Sequence, residues 1–179
     1  MLEVDSVELS FGNQKILYGL YLKAETGKVT GILGRNGSGK TSLLRIIFGS
    51  LEPKYKNIRI DGVYQKGKLF RKGEIAYLPQ HQLLPNSLTL SQAFRLYGQE
   101  WEVFTAHFEA FSPYQKKRTH ELSSGELRIV ETYLTLFSGK EIILLDEPFS
   151  FIAPIYVEKF KNLIHKLNKN TAIIITDHF

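Results

Sequence analysis

Val29-Thr30-Gly31-Ile32-Leu33-Gly34-Arg35-Asn36-Gly37-Ser38-Gly39-Lys40-Thr41-Ser42-Leu43-Leu44 decides the fold. Its first five residues are a short apolar run of strand-forming types and predict a buried strand. Gly34 to Thr41 then fits G-x-x-x-x-G-K-[ST]. Leu43, Leu44, Ile46, Ile47 and Phe48 continue as a helical stripe that stops near Gly49. Strand, glycine turn and helix in this order make a phosphate cradle. Glycines allow successive N–H groups to point inward, and the helix N-terminus adds positive potential. Lys40 is placed to neutralise β- and γ-phosphate oxygens, and the Thr41 hydroxyl to coordinate Mg²⁺. The pattern implies a nucleotide site without separating kinases, GTPases and ATPases.

A second string narrows the chemistry. Ile142-Ile143-Leu144-Leu145-Asp146-Glu147 is a strand-sized apolar run ending in two carboxylates. Ligands of open α/β sheets collect at the carboxyl ends of strands. Asp146 is suited to hold Mg²⁺ through its water shell, and Glu147 to polarise a water for in-line attack on a γ-phosphate. Either carboxylate alone would read as a strand end meeting solvent; beside the glycine turn the pair reads as catalytic.

Outward from these strings, Leu2 to Leu9 and Ile16 to Leu22 flank the turn Phe11-Gly12-Asn13 and predict two antiparallel strands. Residues 52 to 74 are rich in Lys and Gly and predict a solvated loop and hairpin region. Glu74 to Leu78 predicts another buried strand, closed by Pro79-Gln80. Thr89 with Gln92 forms a capping-box pattern for a helix to Tyr97. Trp101, Phe104, Phe108 and Phe111 fall on one face of a further helix, a stripe that predicts core and not a cofactor box. Ser123 with Glu126 is a second capping box, opening a helix to Phe137. Pro154 suits the first turn of a helix reaching about Leu167, and Ala172 to Ile175 predicts the last strand. Strands alternating with helices predict a mostly parallel sheet covered on both faces.

Composition agrees with a globular chain, and the length with one domain or one domain with a small subdomain. Of 179 residues, 43% are apolar and 23% charged, enough to bury a core without staples. No cysteine is present, which excludes disulfides and thiolate metal sites. A formal charge of +5 fits a phosphate ligand but falls short of the basic footprint of a dedicated nucleic-acid binder, so no nucleic acid is expected. The acidic start Met1-Leu2-Glu3-Val4-Asp5 lacks an apolar core, so no secretory signal is expected, and no apolar run is long enough to predict a membrane span.

With Leu122-Ser123-Ser124-Gly125-Glu126 added, the chain resembles the ATP-binding cassette (ABC) ATPase family over almost its whole length. The resemblance implies an α/β P-loop NTPase with a mostly parallel central sheet, an N-terminal antiparallel β subdomain and a small helical subdomain. It implies one cassette over 1–179: antiparallel β region at 1–30 and 52–74, RecA-like core at 29–51, 74–80 and 138–179, and helical subdomain with the signature at 81–137. It assigns Phe11 to stacking on adenine, where the residue type alone leaves a core phenylalanine open. Gly34, Asn36, Gly37, Ser38, Gly39, Lys40, Thr41 and Ser42 would bind nucleotide. Thr41, Gln80 and Asp146 would attend Mg²⁺, and Glu147, His178 and Gln80 would be catalytic. Ser123, Ser124, Gly125 and Glu126 would cap ATP held by a second copy or a paired cassette, two cassettes closing head to tail on ATP. Further implications are ATP hydrolysis, a separate transmembrane permease docking near 80–122, and a place on the cytoplasmic face of the membrane. Asp146-Glu147-Pro148-Phe149, Pro154 and Thr176-Asp177-His178 look most like cassettes of lipopolysaccharide export and branched-chain amino-acid uptake.

The family pattern is broken in places. Its signature is Leu-Ser-Gly-Gly-Gln, so Ser124 replaces a glycine, while Glu126 is a common variant. Ala153 stands where the family carries an aspartate that couples the two ATP sites, which predicts slow turnover or dependence on a partner. The chain stops one residue after His178, at Phe179, where relatives run on, and the absent C-terminal part predicts exposed apolar surface. Two alternatives stand beside the transporter reading. One is a soluble cassette of repair or translation, opposed by the single P-loop and the lack of heptads between Gln80 and Leu122. The other is a regulatory module that closes on ATP with weak turnover.

Overall fold

The computed structural model describes residues 1–167 and 169–178; the terminal Phe179 lies outside them. The chain divides into two compact units, Met1–Gln80 with Lys140–Glu147 and Asn168–Phe179, and His81–Gly139 with Pro148–Leu167.

The first unit holds two sheets. In the antiparallel one, β1 (Leu2–Phe11) lies between β2 (Gln14–Ala24) and β4 (Tyr55–Ile60), with β5 (Val63–Tyr64) outside β4. Leu2, Val4, Val7 and Leu9 of β1 are buried, so the period-2 pattern sets its inner face. Asp61 and Gly62, both at positive φ, make the turn between β4 and β5, the primed type that matches strand twist. The loop and hairpin expected over 52–74 thus includes a full sheet strand, in register with β1 from Leu2↔Ile60 to Asp5↔Asn57. Lys56, Asn57 and Arg59 interrupt its apolar content, and pairing with β1 supplies what composition does not.

The second sheet is parallel. Its strands β3 (Val29–Leu33), β6 (Ile75–Leu78), β7 (Ile142–Asp146) and β8 (Ala172–Asp177) lie in the order β3-β8-β7-β6. All five β7 residues are buried, as expected for a parallel strand with no polar alternation. β3 departs from the buried strand its sequence predicts: Val29 is 49% and Leu33 60% exposed, on the one face that its alternating burial leaves uncovered. Registers Leu33↔Asp177 and Asp146↔Thr176 align the strand ends. Gly34, Glu147 and His178, each one residue beyond its strand, therefore meet at one edge of the sheet. α1 (Lys40–Phe48) follows β3 and packs on β6 and β7 through Leu43, Leu44, Ile46 and Ile47. It stops at Gly49, whose left-handed backbone turns its N–H onto the Arg45 carbonyl at 3.0 Å.

The second unit is helical. α2 (Leu90–Leu96) starts from the Thr89–Gln92 capping box, with both reciprocal bonds formed. α3 (Trp101–His107) ends sooner than its aromatic stripe predicts. The break is at Phe108, whose φ of −127° and ψ of 64° are not helical, and a 3-10 turn at Glu109–Tyr114 then carries Phe111. The stripe is core nonetheless: Trp101, Phe104, Phe108 and Phe111 are buried, and Phe104 lies 4.9 Å from the Tyr133 ring. α4 (Ser124–Leu136) is buried from Leu127 to Leu136, and α5 (Pro154–Lys166) begins on Pro154 and buries Phe160 and Leu163. Burial pushes the Glu131 carboxyl of α4 above its ordinary value, against the Leu84 and Leu83 N–H donors and Arg128, which pull it down. No helix among the described residues is long and apolar enough to cross a membrane.

Candidate functional site

The loop from Gly34 to Gly39 closes on itself and on β2. Gly37 and Gly39 have φ of 81° and 95°, the left-handed region that favours glycine. A Cβ on Gly39 would lie 2.8 Å from Leu17 Cδ2 and 3.0 Å from Ile16 Cγ2, so β2 backs the loop closely. α1 begins at Lys40 without a side-chain cap, which leaves its first-turn N–H groups for an anion. Lys40 itself is only 8% exposed, and its Nζ donates to the Gly34 carbonyl at 2.6 Å and the Arg35 carbonyl at 3.2 Å.

These elements wall a pocket of about 420 Å³. The loop contributes Asn36 through Ser42, β6 leads to Gln80, and β7 leads to Glu147. Phe11, at the end of β1, also lines it and is 56% exposed, which removes the core reading of this ring. Gln14 and Ile16 of β2 line it as well. The sequence assigns neither a role: Gln14 falls between the turn and the next strand, and Ile16 reads only as that strand's first residue.

The two carboxylates behave differently. Asp146 is wholly buried; its Oδ1 accepts from Thr176 Oγ1 at 2.7 Å and its Oδ2 from the Tyr77 hydroxyl at 3.2 Å. Thr176 Oγ1 in turn accepts from the Glu147 N–H at 3.1 Å. Glu147 holds φ at 49°, a backbone state that costs a glutamate about 1–3 kcal/mol and that clusters at functional sites. Gln80 Nε2 donates to Glu147 Oε2 at 3.0 Å, and His178 Nδ1 stands 3.7 Å from Glu147 Oε1 and 3.6 Å from Asp177 Oδ1. The structure therefore gathers Gln80, Asp146, Glu147 and His178 from the ends of three adjacent strands. Tyr77 and Thr176 are the supports that sequence reasoning missed. Their only local signal is a hydroxyl residue on an otherwise apolar strand.

Ser123, Ser124, Gly125 and Glu126 belong to the second unit. Ser123 caps α4: its N–H and its Oγ both donate to Glu126 Oε2, at 2.8 and 2.7 Å, and its Oγ accepts from the Glu126 N–H at 3.3 Å. Burial raises the Glu126 pKa, but the two Ser123 bonds, Tyr114 and Lys117 outweigh it and hold the carboxyl below its ordinary value. Ser123 and Ser124 are exposed. A Cβ on Gly125 would fall 2.5 Å from the Phe151 carbonyl oxygen, so the segment before α5 closes on this turn and admits only glycine there. Among the described residues, no cluster of three or more His, Cys, Asp or Glu is arranged to hold a metal by itself.

A family model described as ABC transporter matches residues 17–150, three quarters of the chain, including the loop, Gln80, the capped turn and both carboxylates. The chain belongs to the ABC transporter family. The ABC transporter ATP-binding protein YhaQ of Bacillus subtilis is 31% identical over 192 residues, covering 99% of this chain and 63% of that protein. The lipopolysaccharide export system ATP-binding protein LptB of Acidithiobacillus ferridurans is 28% identical over 199 residues, covering 99% and 80%. A solved structure from Pyrococcus furiosus, assigned as an ABC transporter ATP-binding protein, superposes with a TM-score of 0.80 at 27% identity, covering 99% of this chain and 91% of that one. The fold is thus the P-loop fold of ABC ATPases. The ABC chain spans 63–66% of the length of three of the curated relatives it matches.

Proposed function

We propose that the chain is the ATP-binding and ATP-hydrolysing part of an ABC transporter, acting with a separate membrane permease at the cytoplasmic face of the membrane. The observation that carries this reading is Glu147, set in a left-handed backbone against Gln80 and His178 beside a cradle that already holds the Lys40 ammonium. Family membership and the named relatives favour it over a regulatory or non-transport cassette.

Each residue has a task that its surroundings permit. The N–H groups from Asn36 to Ser42 and the Lys40 ammonium grip the phosphates, with Lys40 exchanging a loop carbonyl for a phosphate oxygen. Phe11, exposed at the pocket wall, offers its face to adenine. Glu147 takes the proton of the attacking water, Gln80 holds the carboxylate in place, and His178 donates toward the γ-phosphate. The donors fit a hard divalent cation: the Thr41 hydroxyl and the Gln80 amide oxygen line the pocket, while Asp146, buried and bonded to Thr176 and Tyr77, would hold Mg²⁺ through its water shell. Mg²⁺ held there supplies charge neutralisation on the phosphates. In a head-to-tail pair, Ser123, Ser124, Gly125 and Glu126 of one copy cap the nucleotide of the other.

The protein, extracted from membranes, should co-purify with an integral membrane protein and hydrolyse ATP. Isolation free of any membrane protein, with no ATP turnover, would overturn the reading. The departures at Ser124 and Ala153 carry a separate expectation. The double change Ser124→Gly and Ala153→Asp should raise the ATPase rate by clearing the capping turn and restoring a carboxylate before α5. An unchanged rate would remove the idea that these positions limit turnover.

A further inference from the structure

Glu131 is 1% exposed, in the buried stretch of α4 that runs from Leu127 to Leu136. A carboxylate in such a place is costly unless its oxygens are used. Glu131 Oε1 accepts two backbone bonds, from the Leu83 N–H at 2.7 Å and the Leu84 N–H at 2.9 Å, and Oε2 lies 3.9 Å from Arg128. Leu83 and Leu84 follow Gln80 by only three and four residues. The same strip is fastened again further on. Thr119 Oγ1 donates to the Pro85 carbonyl at 2.7 Å, the Thr119 N–H donates to the Leu88 carbonyl at 2.9 Å, and Thr89 bridges to Arg118. From Thr119 the chain reaches Ser123 in four residues, and α4 then returns to Glu131. Residues 83–89, 118–123 and α4 thereby form a closed ring of covalent and hydrogen bonds. A closed ring of this kind responds to a pull as one body, where an open loop would absorb it.

We propose that Glu131 is a positioning residue that clamps the backbone just after Gln80 to α4, so that movement of Gln80 is delivered to Ser123 and Glu126 at the start of that helix. This rests on the proposed nucleotide site for its consequence, though not for the clamp itself. Gln80 is bonded to Glu147 in the pocket, so a nucleotide that changes that bond tugs on His81 to Leu83. Without the clamp the ring is open: the strip flexes at 83–84, and only the Thr119 and Thr89 bonds still join it to the segment that leads into α4. One oxygen accepts both N–H bonds, so a glutamine in place of Glu131 keeps the clamp and an alanine loses it.

The test uses the full chain with Glu131→Ala and Glu131→Gln, read by amide hydrogen exchange and by ATP kinetics. In Glu131→Ala, exchange should rise about tenfold at residues 83–84 and also at 124–127, kcat should fall about tenfold, and ATP affinity should stay within about twofold. Glu131→Gln should restore all three toward the parent. Faster exchange confined to 83–84 would overturn the proposal, as would a glutamine variant that behaves like the alanine one. So would a kcat loss matched by an equal loss of ATP affinity, the mark of general loosening. Should Glu131→Ala not fold, Glu131→Asp withdraws the oxygens by one methylene and carries the same comparison. A parent protein that binds no ATP would sink the nucleotide reading, while the exchange measurements would still decide the clamp.

Discussion

Glu147→Gln should lower ATP turnover by about a thousandfold and leave ATP binding intact, since a positioned general base contributes about 10²–10⁴ to such a rate. The substitution is nearly isosteric, and its amide oxygen still accepts from Gln80 Nε2, which now sits 3.0 Å from Oε2. The backbone is set by the bond from its own N–H to Thr176 Oγ1 and by the strand register, so φ stays at 49°. What disappears is the capacity to take a proton. With hydrolysis blocked, the closed head-to-tail pair should accumulate, and light scattering should report a dimer at millimolar ATP and a monomer without it. Hydrolysis at the parent rate would remove Glu147 from the role of base, and a protein that stays monomeric with ATP would overturn the head-to-tail pair.

The same residues show what a sequence reveals and what it withholds. Gly34 to Thr41 and Ile142 to Glu147 are contiguous strings whose chemistry depends on neighbours within a few residues, so the pattern alone implies a cradle and a carboxylate pair. Likewise the two capping boxes are local, and both are formed with reciprocal bonds. Features that depend on register are different. Thr176 reaches Asp146 and the Glu147 N–H only because Asp146 pairs with Thr176 across two parallel strands thirty residues apart in sequence. No window of residues contains that fact. Over 52–74 a hairpin and an antiparallel β region are expected, but the extent of β4 is not legible, because a strand's stability comes from its cross-strand partner, here β1, more than from intrinsic preference. β3 looks like a buried strand by composition, yet the face that carries Val29 and Leu33 is left uncovered, which no window of its own residues contains. Glu131 was invisible for the converse reason: a charged residue in a helix reads as a solvated face until its neighbours are known to be core.

Lys40→Met should weaken ATP binding by about a hundredfold, the value of a charge-assisted bond of about 2–3 kcal/mol. The folded protein should lose little. The Lys40 ammonium is nearly buried and is held by two neutral carbonyls, Gly34 and Arg35, so removing it relieves desolvation as well as breaking those contacts. Methionine fills the same stem volume, and the freed carbonyls sit on a loop that water reaches. Thermal midpoints of parent and variant should therefore lie close together while a fluorescent ATP analogue separates them. Lys40→Arg should not rescue binding. A planar guanidinium cannot fold back between the Gly34 and Arg35 carbonyls as a compact ammonium does, and it carries its charge past the position the phosphate would take. Parent-like affinity in Lys40→Met would mean that the loop N–H groups alone hold the triphosphate, and that the buried ammonium serves only to close the loop around Gly34.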